Sequence, residues 1–241
     1  MKKILLIIFT LLSFYGFSQH YENFMSISMG GAVPFGDFAS TDIDNTSAGY
    51  AQTSLFLSFD GAHLFLPYIG IGGTMTYANN TVDQISLRTD IIAKIKEQYP
   101  DFVIPEDTYI SFDAGVWNHV NVMVGPQFTL PADRLNFDLR ALGGLSFIFP
   151  PEMQIYLANE DEEFRKYFTY QTKVSFGYLF GAAIRYNTSN NMMIRLMADY
   201  TYAKTTYTVT DEYVGAGSPD LGEYEQPVGT WNIGIGIGYY F

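Results

Sequence analysis

From Trp231 to Phe241 the chain alternates without a break. Large apolar residues stand at 231, 233, 235, 237, 239 and 241; Asn232, Gly234, Gly236, Gly238 and Tyr240 stand between them. A period of two over this length predicts a strand with one apolar face and one small or polar face. The pattern recurs in segment after segment. No amphipathic helices accompany these strands to cover their apolar faces, so the solvent that remains for those faces is lipid. A strand in lipid must satisfy its backbone in a closed barrel.

Eight such strands are read along the chain. The first carries Met25, Ile27, Met29, Gly31 and Val33 outward, with Ser26, Ser28, Gly30 and Ala32 inward. The second runs over about 50–59 and the third over about 67–78. The fourth is long, about 109–130, with Ile110, Phe112, Val116, Val120, Val122, Val124 and Phe128 on one parity and Asp113, Trp117, His119, Asn121 and Gln127 on the other. The fifth (about 134–148) sets Leu135, Phe137, Leu139 and Leu145 against Arg134, Asn136, Asp138 and Arg140. The sixth (about 170–186) sets Val174, Phe176 and Phe180 against Lys173, Gly177 and Arg185, and the seventh (about 192–207) sets Ile194, Leu196 and Tyr200 against Arg195 and Asp199. The C-terminal run is the eighth.

Short connections at Asp60–Leu66, Pro131–Asp133 and Asn187–Asn191 alternate with long ones at about 34–49, 79–108, 149–169 and 208–227. Three turns and four long loops, with both termini at the turn end, predict an all-β fold: a closed eight-stranded antiparallel transmembrane β-barrel. Its turns would face the periplasm and its loops the outside. A soluble eight-stranded barrel would invert the faces. Here the charged residues share the parity of Gly and Ser, which suits a narrow lumen.

The N-terminus sharpens the location. Lys2 and Lys3 precede a short apolar run from Ile4 to Phe17, and Gly16-Phe17-Ser18 places small residues where a signal peptidase reads them. Residues 1–18 are expected to be a cleaved signal peptide and 19–241 the barrel domain. That run is too short to span a bilayer as a helix. There is no Cys, which excludes a lipid-modified cysteine, disulfides and thiolate metal sites. Export without a helical anchor points to the outer membrane of a Gram-negative cell. Net charge is −12; without Lys2 and Lys3 it is −14, which argues against a nucleic-acid partner. Aromatics make up 17%, and outward Tyr77, Phe147, Tyr202 and Trp231 toward the loops, with Phe128, Phe137, Tyr186, Tyr239 and Phe241 toward the turns, fit the two aromatic girdles of a membrane barrel.

On these features the mature chain, from about residue 24 to 241, resembles the small outer-membrane β-barrel family of OmpA-type transmembrane domains and OmpX. The residues that carry the resemblance are the leader, the stretch Gly30-Gly31-Ala32-Val33-Pro34-Phe35-Gly36-Asp37-Phe38, and the terminal Tyr239-Tyr240-Phe241. The resemblance implies that Tyr239 and Phe241 are read by the barrel-assembly machinery, with Gly236 at the usual glycine position. Gly234 stands where the family's signal has a polar residue. The family is defined by architecture, so it implies no activity.

Candidate chemistry is sparse. Eight charged residues are expected to face the lumen: Asp113, Arg134, Asp138, Arg140, Lys173, Arg185, Arg195 and Asp199. The interior of an eight-stranded barrel is just wide enough for side chains to fill, and buried charges there must pair. A salt-bridged plug is the expected reading; an ion or proton path is the alternative. Of the three His, His20 is at the mature start, His63 in a short connection, and His119 alone in a strand. No base–nucleophile pair emerges, so no enzyme, cofactor or metal site is expected. Asp42-Ile43-Asp44-Asn45 lacks the Gly and distal Glu of a calcium loop. Residues 83–98 have a partly helical period, and 152–168 and 208–227 form an acidic rim. The expected role is structural or interactive: a monomeric barrel in the lipid bilayer that presents four acidic extracellular loops, with an envelope protein as a candidate partner. The alternatives are a subunit of a larger envelope or secretion complex and a narrow solute-transport barrel.

Overall fold

The computed structural model describes residues 23–98, 109–158, 163–188, 191–213 and 220–241. The expected leader, His20 and the run Glu160-Asp161-Glu162 lie outside the described residues. Eleven strands and one helix are present among them: β1 (Phe24–Phe35), β2 (Ser54–Leu64), β3 (Ile69–Thr81), α1 (Gln84–Gln98), β4 (Tyr109–Ala114), β5 (Val116–Ala132), β6 (Leu135–Phe149), β7 (Met153–Ala158), β8 (Glu163–Thr172), β9 (Ser175–Asn187), β10 (Met192–Tyr213) and β11 (Asp220–Tyr240). A short 3-10 turn, Gly36–Ala39, follows β1.

Eight of the strands close a ring in the order β1-β2-β3-β5-β6-β9-β10-β11, and β11 pairs back onto β1 from Phe24↔Tyr240 to Phe35↔Gly229. Every pairing is antiparallel. The alternation read from the sequence decides which face is which. Outward Leu55 and Ile237 are 65% and 62% exposed, while inward Ser58 and Asn232 on the same strands are buried. An apolar wall exposed to this extent is stable only against hydrocarbon. No helix among the described residues is long and apolar enough to cross a membrane; the crossing is made by strands.

At one end the wall strands join through tight turns at 65–68 and 133–134, and across the third short connection the Thr188 N–H bonds the Met192 carbonyl at 2.8 Å. Asp133 takes the left-handed conformation (φ 57°) that a two-residue turn requires, which Asp tolerates better than most residues. At the other end the connections carry structure of their own, and here the expected strand boundaries need correction. The long fourth strand is two: it breaks at Gly115, whose N–H bonds the Glu152 carbonyl, so β4 leaves the wall to pair with β7. The loops expected at 149–169 and 208–227 are largely strand. β7 and β8 occupy the first, and the upper ends of β10 and β11 occupy much of the second. Where β9 stops pairing with β10, at Ala203↔Gly177, β8 takes over from Tyr207↔Thr172 upward. The result is a five-stranded sheet, β4-β7-β8-β10-β11, continuous with the wall and rising beyond it.

The helical period at 83–98 is α1. Asp83 caps it: Oδ1 accepts the Ser86 backbone N–H at 3.1 Å and Oδ2 the Ser86 hydroxyl at 2.9 Å. These bonds, the backbone one first, hold the Asp83 carboxyl below the usual carboxylate range. Lys94 on α1 pairs with Asp44 of the first loop at 2.6 Å and fastens the helix over the 36–51 segment.

Candidate functional site: the sealed lumen

The inward faces fill the lumen in layers. At the turn end Phe24, Ala62, Met193 and Tyr240 pack together. The Arg185 guanidinium lies 4.1 Å over the Phe24 ring. It also forks onto Asp138, Nε to Oδ2 at 2.6 Å and a terminal nitrogen to Oδ1 at 2.9 Å. Thr129 donates its hydroxyl to Asp138 at 2.7 Å, and Tyr240 accepts a bond from Arg185 at 3.1 Å.

The next layer centres on Arg140. It reaches Asp60 at 2.7 Å and forks onto Asp199 at 2.5 and 3.2 Å. Ser58 donates to Asp60 at 2.8 Å. Arg195, fully buried, brings one terminal nitrogen to 2.8 Å of Asp60, but none of its N–H bonds is aligned on an acceptor among the described residues. It contributes charge to this layer more than directed bonding. Arg140, Arg185 and Arg195 thus face Asp60, Asp138 and Asp199, and these six are electrically balanced. Such pairing is what makes ions tolerable at this depth. The layer has room because Gly181 has no side chain: a Cβ there would stand 2.0 Å from Asp199 Oδ1.

Ala32, Phe56, Ala78, Ala183 and Met197 form an apolar cluster beside and above the ions, with Ala183 directly across from Asp138. His119 follows, buried and bonded through Nε2 to Asn80 Oδ1 at 3.0 Å. Asn80 spends its amide on the carbonyls of Ala32 and Gln52, at 3.0 and 2.8 Å, so its oxygen faces the ring and Nε2 is assigned as the donor. The loop end is capped. Phe38, Tyr50, Val82, Trp117, Ile148, Ala203 and Val228 form one buried cluster, with Leu87 of α1 against it. Trp117 donates its indole N–H to the Gly49 carbonyl at 2.9 Å, and the Phe38 and Trp117 rings meet edge to face at 5.4 Å. The Tyr50 hydroxyl donates to Asp90 at 2.9 Å; partial burial, then this carboxylate, push its phenol up from the ordinary value.

The eight charges expected in the lumen divide. Asp138, Arg140, Arg185, Arg195 and Asp199 come together there. Asp113 does not: it is exposed on β4, which has left the wall. Lys173 does not either, because it stands in the irregular link between β8 and β9, where the chain changes ladders, and pairs at the surface with Glu223. Arg134 occupies the two-residue turn, exposed, beside a cleft of about 530 Å³ lined also by Asp133, Tyr186, Asn187 and Thr188. Asp60 joins the lumen charges although the sequence reading assigns it to a turn. That assignment ends β2 too early; the alternation Leu55, Leu57, Phe59 already puts residue 60 on the inward parity. Tyr239 and Phe241 point outward, 52% and 62% exposed. Among the described residues no three His, Asp or Glu gather as a metal site. In the first loop Asp42 accepts the Asp44 N–H, and Asp37 accepts the Asn45 side-chain amide.

On the outside, Phe35, Tyr178, Tyr200, Tyr202 and Trp231 make a continuous aromatic band at the loop end of the wall; Phe35 and Tyr200 stack at 4.9 Å and Tyr200 meets Trp231 at 5.2 Å. Rings with a polar edge at that height, above an aliphatic belt, mark a lipid interface. The protein is an outer-membrane β-barrel. Its fold is all-β, with eight wall strands closed into a ring.

No protein-family model matches the sequence, and no curated protein matches it. Similar solved structures include the outer membrane protein OprG from Pseudomonas aeruginosa, with 11% identity, 92% of this chain and 97% of that chain covered, and a TM-score of 0.49. A major outer membrane protein from Thermus thermophilus shares 11% identity over 91% of this chain and 99% of its own, with a TM-score of 0.47. Ail, the attachment invasion locus protein of Yersinia pestis, shares 13% over 92% and 100%, with a TM-score of 0.38. The likeness is one of fold.

Proposed function

We propose that this barrel is a sealed membrane anchor with a structural or interactive role. Its business end is the sheet β4-β7-β8-β10-β11 and the acidic segments around it, presented outside the cell to a partner. The observation that carries this reading is the double closure of the lumen. An ion layer fills its turn half and the Phe38–Trp117 cluster caps its loop end, so the interior offers no route for solute. The same observation argues against the narrow transport barrel. The ion layer serves as a structural plug rather than a conduction path, since each carboxylate is held by a guanidinium. A non-enzymatic role fits the surroundings of His119, whose recorded side-chain bond is to an amide.

The partner-facing side is acidic: Asp37, Asp42, Asp44, Asp113, Glu223 and Glu225 are exposed there, of which Asp44, Glu223 and Glu225 pair with Lys94, Lys173 and Lys204. Affinity purification from native membranes in mild detergent, followed by mass spectrometry, tests the reading. The expected result is a co-purifying envelope or surface protein that is lost when 208–227 is deleted. A stoichiometric multi-protein assembly retained after that deletion would favour the subunit reading, with the wall as the contact. Discrete conductance steps in planar bilayers would refute the sealed barrel.

A further inference from the structure

The seam between β1 and β11 is the one place in the ring where no loop joins neighbouring strands, because it closes the first strand on the last. Register there must come from side chains. On its outward face β11 repeats Ile233, Ile235 and Ile237, and on its inward face Gly234, Gly236 and Gly238. This repeat looks the same after a slip of two residues, which keeps Ile outside and Gly inside. Glycine-rich strands specify register weakly for this reason. Inward side chains on this part of β11 return only at Tyr240.

We propose that the Tyr240 hydroxyl is the register latch of barrel closure. Tyr240 is buried, and its hydroxyl crosses the lumen to β9, where it donates to the Asn187 side-chain oxygen and accepts from Arg185 at 3.1 Å. Asn136 of β6 approaches it at 3.4 Å, and its ring meets Phe24 of β1 edge to face at 6.5 Å. One side chain therefore ties the last strand to the first, to β6 and to β9. A slip of two residues that carries Gly238 to this position leaves no ring and no hydroxyl there. Neighbouring Tyr239 and Phe241 face outward and take no part in the latch. Arg185 is itself fixed by Asp138 of β6, so the donor that meets the hydroxyl is held in place independently of β11.

The absence of cysteine makes the test clean. Ile27 faces Ile237 across the native seam. The pair Ile27→Cys with Ile237→Cys reports the native register, and Ile27→Cys with Ile235→Cys reports the slip of two. Both are refolded into lipid vesicles without assembly machinery and oxidised. With Tyr240 intact, only the native pair is expected to crosslink. With Tyr240→Phe, which keeps the ring but loses both the bond to Asn187 and the bond from Arg185, the slipped-to-native ratio is expected to rise by at least about tenfold, the factor for the charge-assisted bond alone. Asn187→Ala, which removes the acceptor from β9, is expected to raise the ratio in the same direction and covers the case in which Tyr240→Phe fails to fold. A native-only crosslink pattern in a folded Tyr240→Phe or Asn187→Ala barrel would overturn the proposal.

Discussion

Replacing Arg140 by Met keeps most of the side-chain volume and removes the charge at the centre of the ion layer. Arg140 makes three short contacts, one to Asp60 and two to Asp199, and all three groups are at most 2% exposed. The consequences for the two carboxylates differ. Asp60 keeps the Ser58 hydroxyl and Arg195, each at 2.8 Å. Asp199 loses both bonds that hold it and is left as an uncompensated buried charge. Removing one member of a buried ion pair costs about 3–5 kcal/mol, and Asp199 should bear most of it. The double variant Arg140→Met with Asp199→Met leaves two balanced pairs, Arg185 with Asp138 and Arg195 with Asp60, and should recover more than half of the loss. Urea unfolding in detergent micelles, followed by tryptophan fluorescence, measures both. Trp117 in the cap and Trp231 on the wall report from inside and outside. A single variant within about 1 kcal/mol of the parent, set against the range above, would refute the reasoning. So would a double variant no more stable than the single.

Three further outcomes are expected. Gly181→Ala would press a methyl group to 2.0 Å from Asp199 Oδ1 and should destabilise the barrel by about 1–3 kcal/mol, read as a lower temperature for the heat-modifiable gel shift. Asp83→Ala should loosen the first turn of α1 by about 1 kcal/mol, seen as faster amide exchange at Ser86 and Leu87. Because the folded Asp83 carboxyl titrates below its unfolded value, its stabilisation is present above the ordinary Asp pKa of about 3.9 and is lost as pH falls through the lower folded value; the Ser86 amide shift should therefore stay flat from neutral pH until below that point. Phe38→Ala should cost about 3–5 kcal/mol by opening the cap, yet planar bilayers should still show no conductance, because the Arg140 layer beneath remains.

The wall is legible in the sequence because its physics is local. A period of two with Ile, Leu and Phe on one parity needs no tertiary knowledge to interpret, and Leu135–Phe149 and the run from Trp231 onward read at once as lipid-facing strands. The lumen is half legible for the same reason: parity places Asp138, Arg140, Arg185, Arg195 and Asp199 inside. It fails where parity breaks. Gly115 interrupts the ladder and takes Asp113 out of the wall, and the 173–174 link takes out Lys173. Both breaks depend on a pairing of β4, β7 and β8 that lies far apart in sequence. Asp60 is obscured for a different reason, since Asp followed by Gly ordinarily signals a turn; here Arg140 needs the Asp inside, and the turn waits until residue 65.

The length of β10 and β11 has a mechanical consequence. At 22 and 21 residues they extend roughly 70 Å at the usual strand rise, against the 9–11 residues a strand needs to cross a bilayer. Each runs from the outer sheet down the wall to the turn end. A load applied at the tip travels along two unbroken backbones and is resisted by the β9–β10 and β1–β11 ladders in shear, with all their bonds strained together rather than one after another. A pull on the outer sheet would therefore reach the membrane-spanning wall without unzipping it.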